Sequence, residues 1–161
     1  MLTEPINLAE WFHPSPPSHK SRLFTCGRPG RAIQGKKRVK VDEEIIDSWV
    51  HGLPKAATLY IISLLGQKRD GYSEFEYYPF RSEKESGAKL TMQEWLDQRY
   101  PERFVIYEFP TVDAQGIDQG LLTEVANFVL NLLEGQNTVV IIDSAGAERT
   151  ARVCEKMGYQ K

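Results

Sequence analysis

The sequence predicts an α/β domain built on a central, mostly parallel β-sheet flanked by helices, and three observations support this. Thr138–Ile142 (TVVII) and Ala57–Leu65 (ATLYIISLL) are near-continuous apolar runs, the pattern of strands covered on both faces. Other stretches carry apolar residues at helical spacing, above all Leu121, Leu122, Val125, Phe128, Val129 and Leu132. Strand and helix signals alternate along the chain, as parallel strands joined by helical crossovers require. A length of 161 residues suits one core, so a single domain is expected over 1–161, with 1–20 as a partly irregular N-terminal extension.

In chain order, Ile6–Phe12 reads as a short helical stretch halted by Pro14, Pro16 and Pro17. Arg22–Cys26 (RLFTC) is a short strand ending in the turn-rich GRPGR. Asp42 opens a helix with Glu43 and Glu44 in its first turn, where carboxylates suit the dipole, and Gly52 and Pro54 end it. Ser73–Phe80 is aromatic-rich and read as extended, while Ser82–Lys89 is a polar loop or insertion. Thr91 with Glu94 three residues on forms a capping box for a helix from Met92 to about Gln98. Phe104–Phe109 (FVIYEF) is a strand stopped by Pro110, Ile117–Glu134 is the longest helix, and Arg149–Met157 is the last. Trp11, Trp49 and Trp95 each read as helix anchors.

The composition is ordinary for a globular protein, 41% hydrophobic and 26% charged, and a net charge of −2 gives no sign of a nucleic-acid-binding surface. A local basic cluster, Arg28, Arg31, Lys36, Lys37, Arg38 and Lys40, reads as a solvated face or an electropositive rim. Two cysteines, Cys26 and Cys154, make no disulfide framework. The N-terminus lacks a basic start and an apolar core, and no apolar run approaches the roughly 18 residues of a membrane helix. A cytoplasmic protein with no membrane contact is therefore expected.

The chemistry concentrates in TVVIIDSAGAERTARVCEKMG. An apolar strand runs into Asp143, then a small-residue loop, then Arg149-Thr150 and a helix. Ligand sites in α/β sheets lie at the carboxyl ends of strands. Ser144, Ala145, Gly146 and Ala147 carry little side chain, so their N–H groups can converge into an anion nest that the following helix N-terminus reinforces. Arg149 can clamp two phosphate oxygens in a bidentate fork.

This loop resembles the signature of the cysteine-dependent tyrosine and dual-specificity phosphatases: His-Cys, five residues, Arg, then Ser or Thr. Here Ile142 stands for the histidine, Asp143 for the cysteine, and Glu148 for a residue that is often glycine. Phe109-Pro110-Thr111-Val112-Asp113 resembles the family's general-acid loop, 30 residues before Asp143. The likeness covers about the last two-thirds of the chain in element order. It implies a three-layer phosphatase-like fold with Asp143 in the nucleophile slot, Asp113 as candidate general acid, and Ser144, Ala145, Gly146, Ala147, Glu148, Arg149 and Thr150 around the phosphate.

A carboxylate is a poorer nucleophile than a low-pKa thiolate, and it accepts hydrogen bonds from the same nest. The expected function is therefore binding of a phosphorylated protein, lipid or nucleotide with little or no turnover, without metal or cofactor. Two alternatives stay open. One is an active phosphatase, working through Asp143 or inactivated by a Cys-to-Asp change; the other is a non-catalytic, partner-binding scaffold. A plainer account is that DSAGAERT is a strand-to-helix turn with an ordinary arginine.

Cys26-Gly27-Arg28-Pro29-Gly30-Arg31 mimics a displaced nucleophile loop, but its arginine comes one residue too early and Pro29 removes a donor, so Cys26 reads as a half-buried strand-end residue. Gly30–Lys37 nearly matches a nucleotide-binding P-loop, yet Lys37 stands where Ser or Thr should hold Mg²⁺. Cys154 is expected to pack inward and Glu148 to face solvent. His13, His19 and His51 show no metal-ligand spacing.

Overall fold

The computed structural model describes residues 5–34, 41–66, 91–111 and 117–161. Its elements are β1 (Ala9–Trp11), β2 (Arg22–Gly27), α1 (Arg31–Gln34), α2 (Glu43–His51), β3 (Leu59–Ser63), α3 (Met92–Arg99), β4 (Phe104–Glu108), α4 (Gln119–Glu134), β5 (Thr138–Asp143) and α5 (Glu148–Lys156). They form a five-stranded sheet in the order β1-β2-β5-β3-β4, in which β2, β5, β3 and β4 run parallel and β1 is antiparallel. The expected α/β architecture is therefore present, with β5 at its centre.

Alternation along β5 explains the three layers. Val140 and Ile142 pack with Ile46, Trp49, Trp95 and Leu96 of α2 and α3 on one face. Val139 and Ile141 pack with Val125, Val129, Val153 and Cys154 of α4 and α5 on the other. Helices on both faces are what a strand apolar at every position needs. The capping box is formed: the Thr91 hydroxyl accepts from the Glu94 N–H at 3.1 Å, and the Thr91 N–H donates to Glu94 Oε1 at 3.0 Å. Asp118 caps α4 by accepting from the Leu121 N–H.

The predicted helix over Ile6–Phe12 is corrected. Ala9–Trp11 is instead an edge strand, with Trp11 opposite Leu23. A seven-residue helix closed off by prolines has too few internal bonds to offset its nucleation. In extended form, Leu8 packs on one core and Trp11 on the other, while the indole N–H donates to Thr25 Oγ1 at 2.9 Å. Trp11 is thus a strand residue, whereas Trp49 and Trp95 lie on helices. Ser73–Phe80 and Ser82–Lys89 lie outside the described residues. Among the described residues no helix is long and apolar enough to cross a membrane.

The outer edge of β4 is capped by a side chain. Gln93 on α3 donates from Nε2 to the Phe104 carbonyl and accepts from the Ile106 N–H at Oε1, both at 2.9 Å. One amide thus takes the place of the next strand's backbone. Gln93→Leu keeps the volume but removes both partners, and we expect a loss of about 1–2 kcal/mol in urea unfolding. No change would show that water satisfies these groups equally well.

Candidate functional site

Three parallel strands end side by side at the site. Gly27 of β2 lies opposite Asp143 of β5, Ser63 of β3 lies opposite Ile142, and the Leu64 N–H donates to the Ile142 carbonyl at 2.8 Å. The segments leaving β2, β3 and β5 therefore meet at one edge of the sheet, where such folds place ligands.

Asp143 is buried and closes the loop on itself. Oδ1 accepts from the Gly146 N–H, and Oδ2 accepts from the Thr150 N–H at 3.0 Å. The loop amides and the first turn of α5 thus already enclose one anion, the protein's own carboxylate. Gly146 has φ +70°, and a Cβ there would drive into the backbone of Cys26 and Gly27, so the loop rests directly on the end of β2. Asn7 holds it from the N-terminal side, donating from Nδ2 to the Ala145 carbonyl at 2.6 Å.

Ser144 joins the loop to the β2 exit. Its carbonyl accepts from the Arg28 N–H at 3.2 Å, and its hydroxyl accepts from Arg31 Nη1 at 2.5 Å and Arg28 Nε at 3.4 Å. Ala147 and Glu148 are exposed, so the Glu148 carboxylate opens α5 from the solvent side. Arg149 is buried and donates from Nη1 to the Leu64 carbonyl at 3.1 Å and to Thr111 Oγ1 at 2.6 Å. Thr111 in turn donates to the same Leu64 carbonyl at 2.6 Å. The guanidinium therefore braces the exits of β3 and β4 against α5. The Thr150 hydroxyl is fully buried and makes no hydrogen bond among the described residues.

Asp143 and the residues Ser144 to Thr150 thus lie together at the sheet edge, while Asp113, Lys36, Lys37, Arg38 and Lys40 lie outside the described residues. Cys26 is corrected from half-buried to fully buried; it lies opposite Ile142, beside the loop. Burial, and then the nearby Asp143 charge, push its thiol well above the ordinary range, so it stays protonated and poorly nucleophilic. Cys154 is also buried. Thr111, Asn7 and the Leu64 carbonyl were missed from sequence. The signal for Thr111 lies in the Phe109-Pro110-Thr111 segment, whose hydroxyl stands two residues before Asp113.

No protein-family model and no curated protein matches this sequence. Among solved structures, the fold matches kinase-associated phosphatase (KAP), determined with its catalytic-site cysteine substituted by serine. The TM-score is 0.55 at 16% identity, covering 95% of this chain and 72% of that one. At that identity the likeness is one of fold, and the fold is phosphatase-like.

Proposed function

We propose that this domain binds a phosphorylated ligand at the loop from Asp143 to Thr150 and turns it over slowly or not at all. The observation that carries this reading is the enclosure of the Asp143 carboxylate by the Gly146 and Thr150 N–H groups. A loop that folds around an anion is built to stabilise negative charge, and the nine-residue helix α5 adds its dipole. The same two hydrogen bonds argue against efficient catalysis. Each bond draws charge from a carboxylate oxygen and fixes its direction, which weakens it as a nucleophile, and the buried charge repels an incoming phosphate.

Titration with inorganic phosphate, followed at the Gly146 and Thr150 amide resonances, tests the reading. Phosphate should shift both, and Arg149→Lys, which keeps the charge but loses the fork, should weaken binding about tenfold. A scaffold reading is favoured by a different observation: Arg149 is buried against Leu64 and Thr111. If phosphate moves neither resonance while Arg149→Lys only lowers stability, the arginine is a brace and the scaffold reading stands.

A further inference from the structure

We propose that Asn7 is a positioning residue for the phosphate loop: its side chain holds the Ala145–Gly146 peptide in the orientation that aims an N–H at the anion. The inference rests on the phosphate-binding reading and deepens it, because it makes the loop's affinity depend on the docking of the N-terminal segment 5–8. Asn7 Nδ2 donates to the Ala145 carbonyl at 2.6 Å, across 138 positions of sequence. That carbonyl and the Gly146 N–H belong to one peptide unit, and in a planar trans peptide the two groups point in opposite directions. Drawing the carbonyl out to Asn7 therefore turns the N–H into the loop, where it donates to Asp143 Oδ1.

Residue 146 does not make this choice by itself. Glycine accepts either sign of φ, so rotation about the bonds flanking the peptide would bring the Ala145 oxygen to the place of the N–H. The loop would then meet an anion with an acceptor where a donor is needed. The preceding peptide is held by backbone, since the Ser144 carbonyl accepts from the Arg28 N–H at 3.2 Å. The Ala145 carbonyl is instead held by a side chain, and that side chain is anchored from both directions. The Gly27 N–H donates to the Ile6 carbonyl at 2.8 Å. A Cβ on Gly27 would press on Ile6 and approach the Ala145 carbonyl carbon to 2.9 Å, so the segment lies directly against the loop. On the other side, Ala9 opposite Thr25 begins the β1–β2 ladder. Between these anchors Asn7 takes φ +53°, in the left-handed region that asparagine enters more readily than most residues.

Amide NMR of the whole chain and of Asn7→Gly, with inorganic phosphate titrated into each and thermal melts confirming the fold, is the test. Glycine suits the left-handed backbone, so the variant removes the donor without adding charge or strain. In Asn7→Gly the Gly146 amide should shift and exchange faster with solvent, while the Thr150 amide, which reaches Asp143 from α5, stays as it was. Phosphate affinity should fall about fivefold, the worth of one hydrogen bond. An unchanged Gly146 amide, or an unchanged affinity, overturns the positioning role and leaves the phosphate-binding reading intact. Equal loosening of Gly146 and Thr150 overturns it too, because Asn7 would then support the loop as a whole and not one peptide. If the unmodified protein binds no phosphate, both readings fall.

Discussion

Gly146→Ala is expected to lower stability by roughly 3–5 kcal/mol, a large share of the few to fifteen a domain of this size possesses. Three costs combine. A φ of +70° penalises any residue with a Cβ by about 1–2 kcal/mol. The new methyl would lie 2.5 Å from the Cys26 carbonyl carbon and closer still to the Gly27 nitrogen, and overpacking of this kind costs about 1–3 kcal/mol. Neither partner can retreat freely, because Cys26 and Gly27 are held in the β2–β5 ladder. Displacing the loop would also break the bond from the Gly146 N–H to Asp143. At about 2–4 °C per kcal/mol for a chain of this length, the melting temperature should fall by about 6–20 °C. A fall of under 2 °C would show that the loop does not rest on the end of β2.

The parts of this architecture that were legible in the sequence are those whose signal is local. Thr138–Ile142 reads as a buried strand and Thr91 with Glu94 as a helix-opening capping box, and both are found in the structure. Asp143 was placed just past the strand and proves to be its last residue, which is within the usual uncertainty of element ends. The misreadings have a different origin. A three-residue edge strand such as β1 has almost no intrinsic preference, and what decides it is pairing with Leu23–Thr25. The contact of Arg31 with Ser144 spans 113 positions and follows from strand order, which no single segment encodes. Arg149 shows the same limit. Its place at the head of α5 was readable, but its direction depends on Leu64 and Thr111, supplied by two other strand exits. Site geometry in a parallel sheet is a property of which strands are neighbours, whereas sequence periodicity speaks for one strand at a time.

The other large effect concerns chemistry. Asp143→Cys is expected to turn over a generic aryl phosphate at least about 10²-fold faster than the present protein. Cysteine at this position would present sulfur to the Gly146 and Thr150 N–H groups that now hold the carboxylate, and such donors favour the thiolate. The thiolate attacks phosphorus, an S–P bond forms, and the P–O bond to the aryl group breaks. The phenolate leaves with the bonding pair and takes its proton from water. Water then cleaves the S–P bond, giving inorganic phosphate and restoring the thiol. An aryl leaving group needs little help from a general acid, so the test does not depend on Asp113. Adding Arg149→Ala to Asp143→Cys should cost a further factor of about 10² or more, provided circular dichroism shows the double variant is folded. Turnover by the unmodified protein at a comparable rate would instead make Asp143 or another group catalytic and reverse the low-turnover reading. If none of the three turns over and phosphate leaves the loop resonances unmoved, the loop is a strand-to-helix turn braced by an arginine, and the phosphatase-like fold serves as a scaffold.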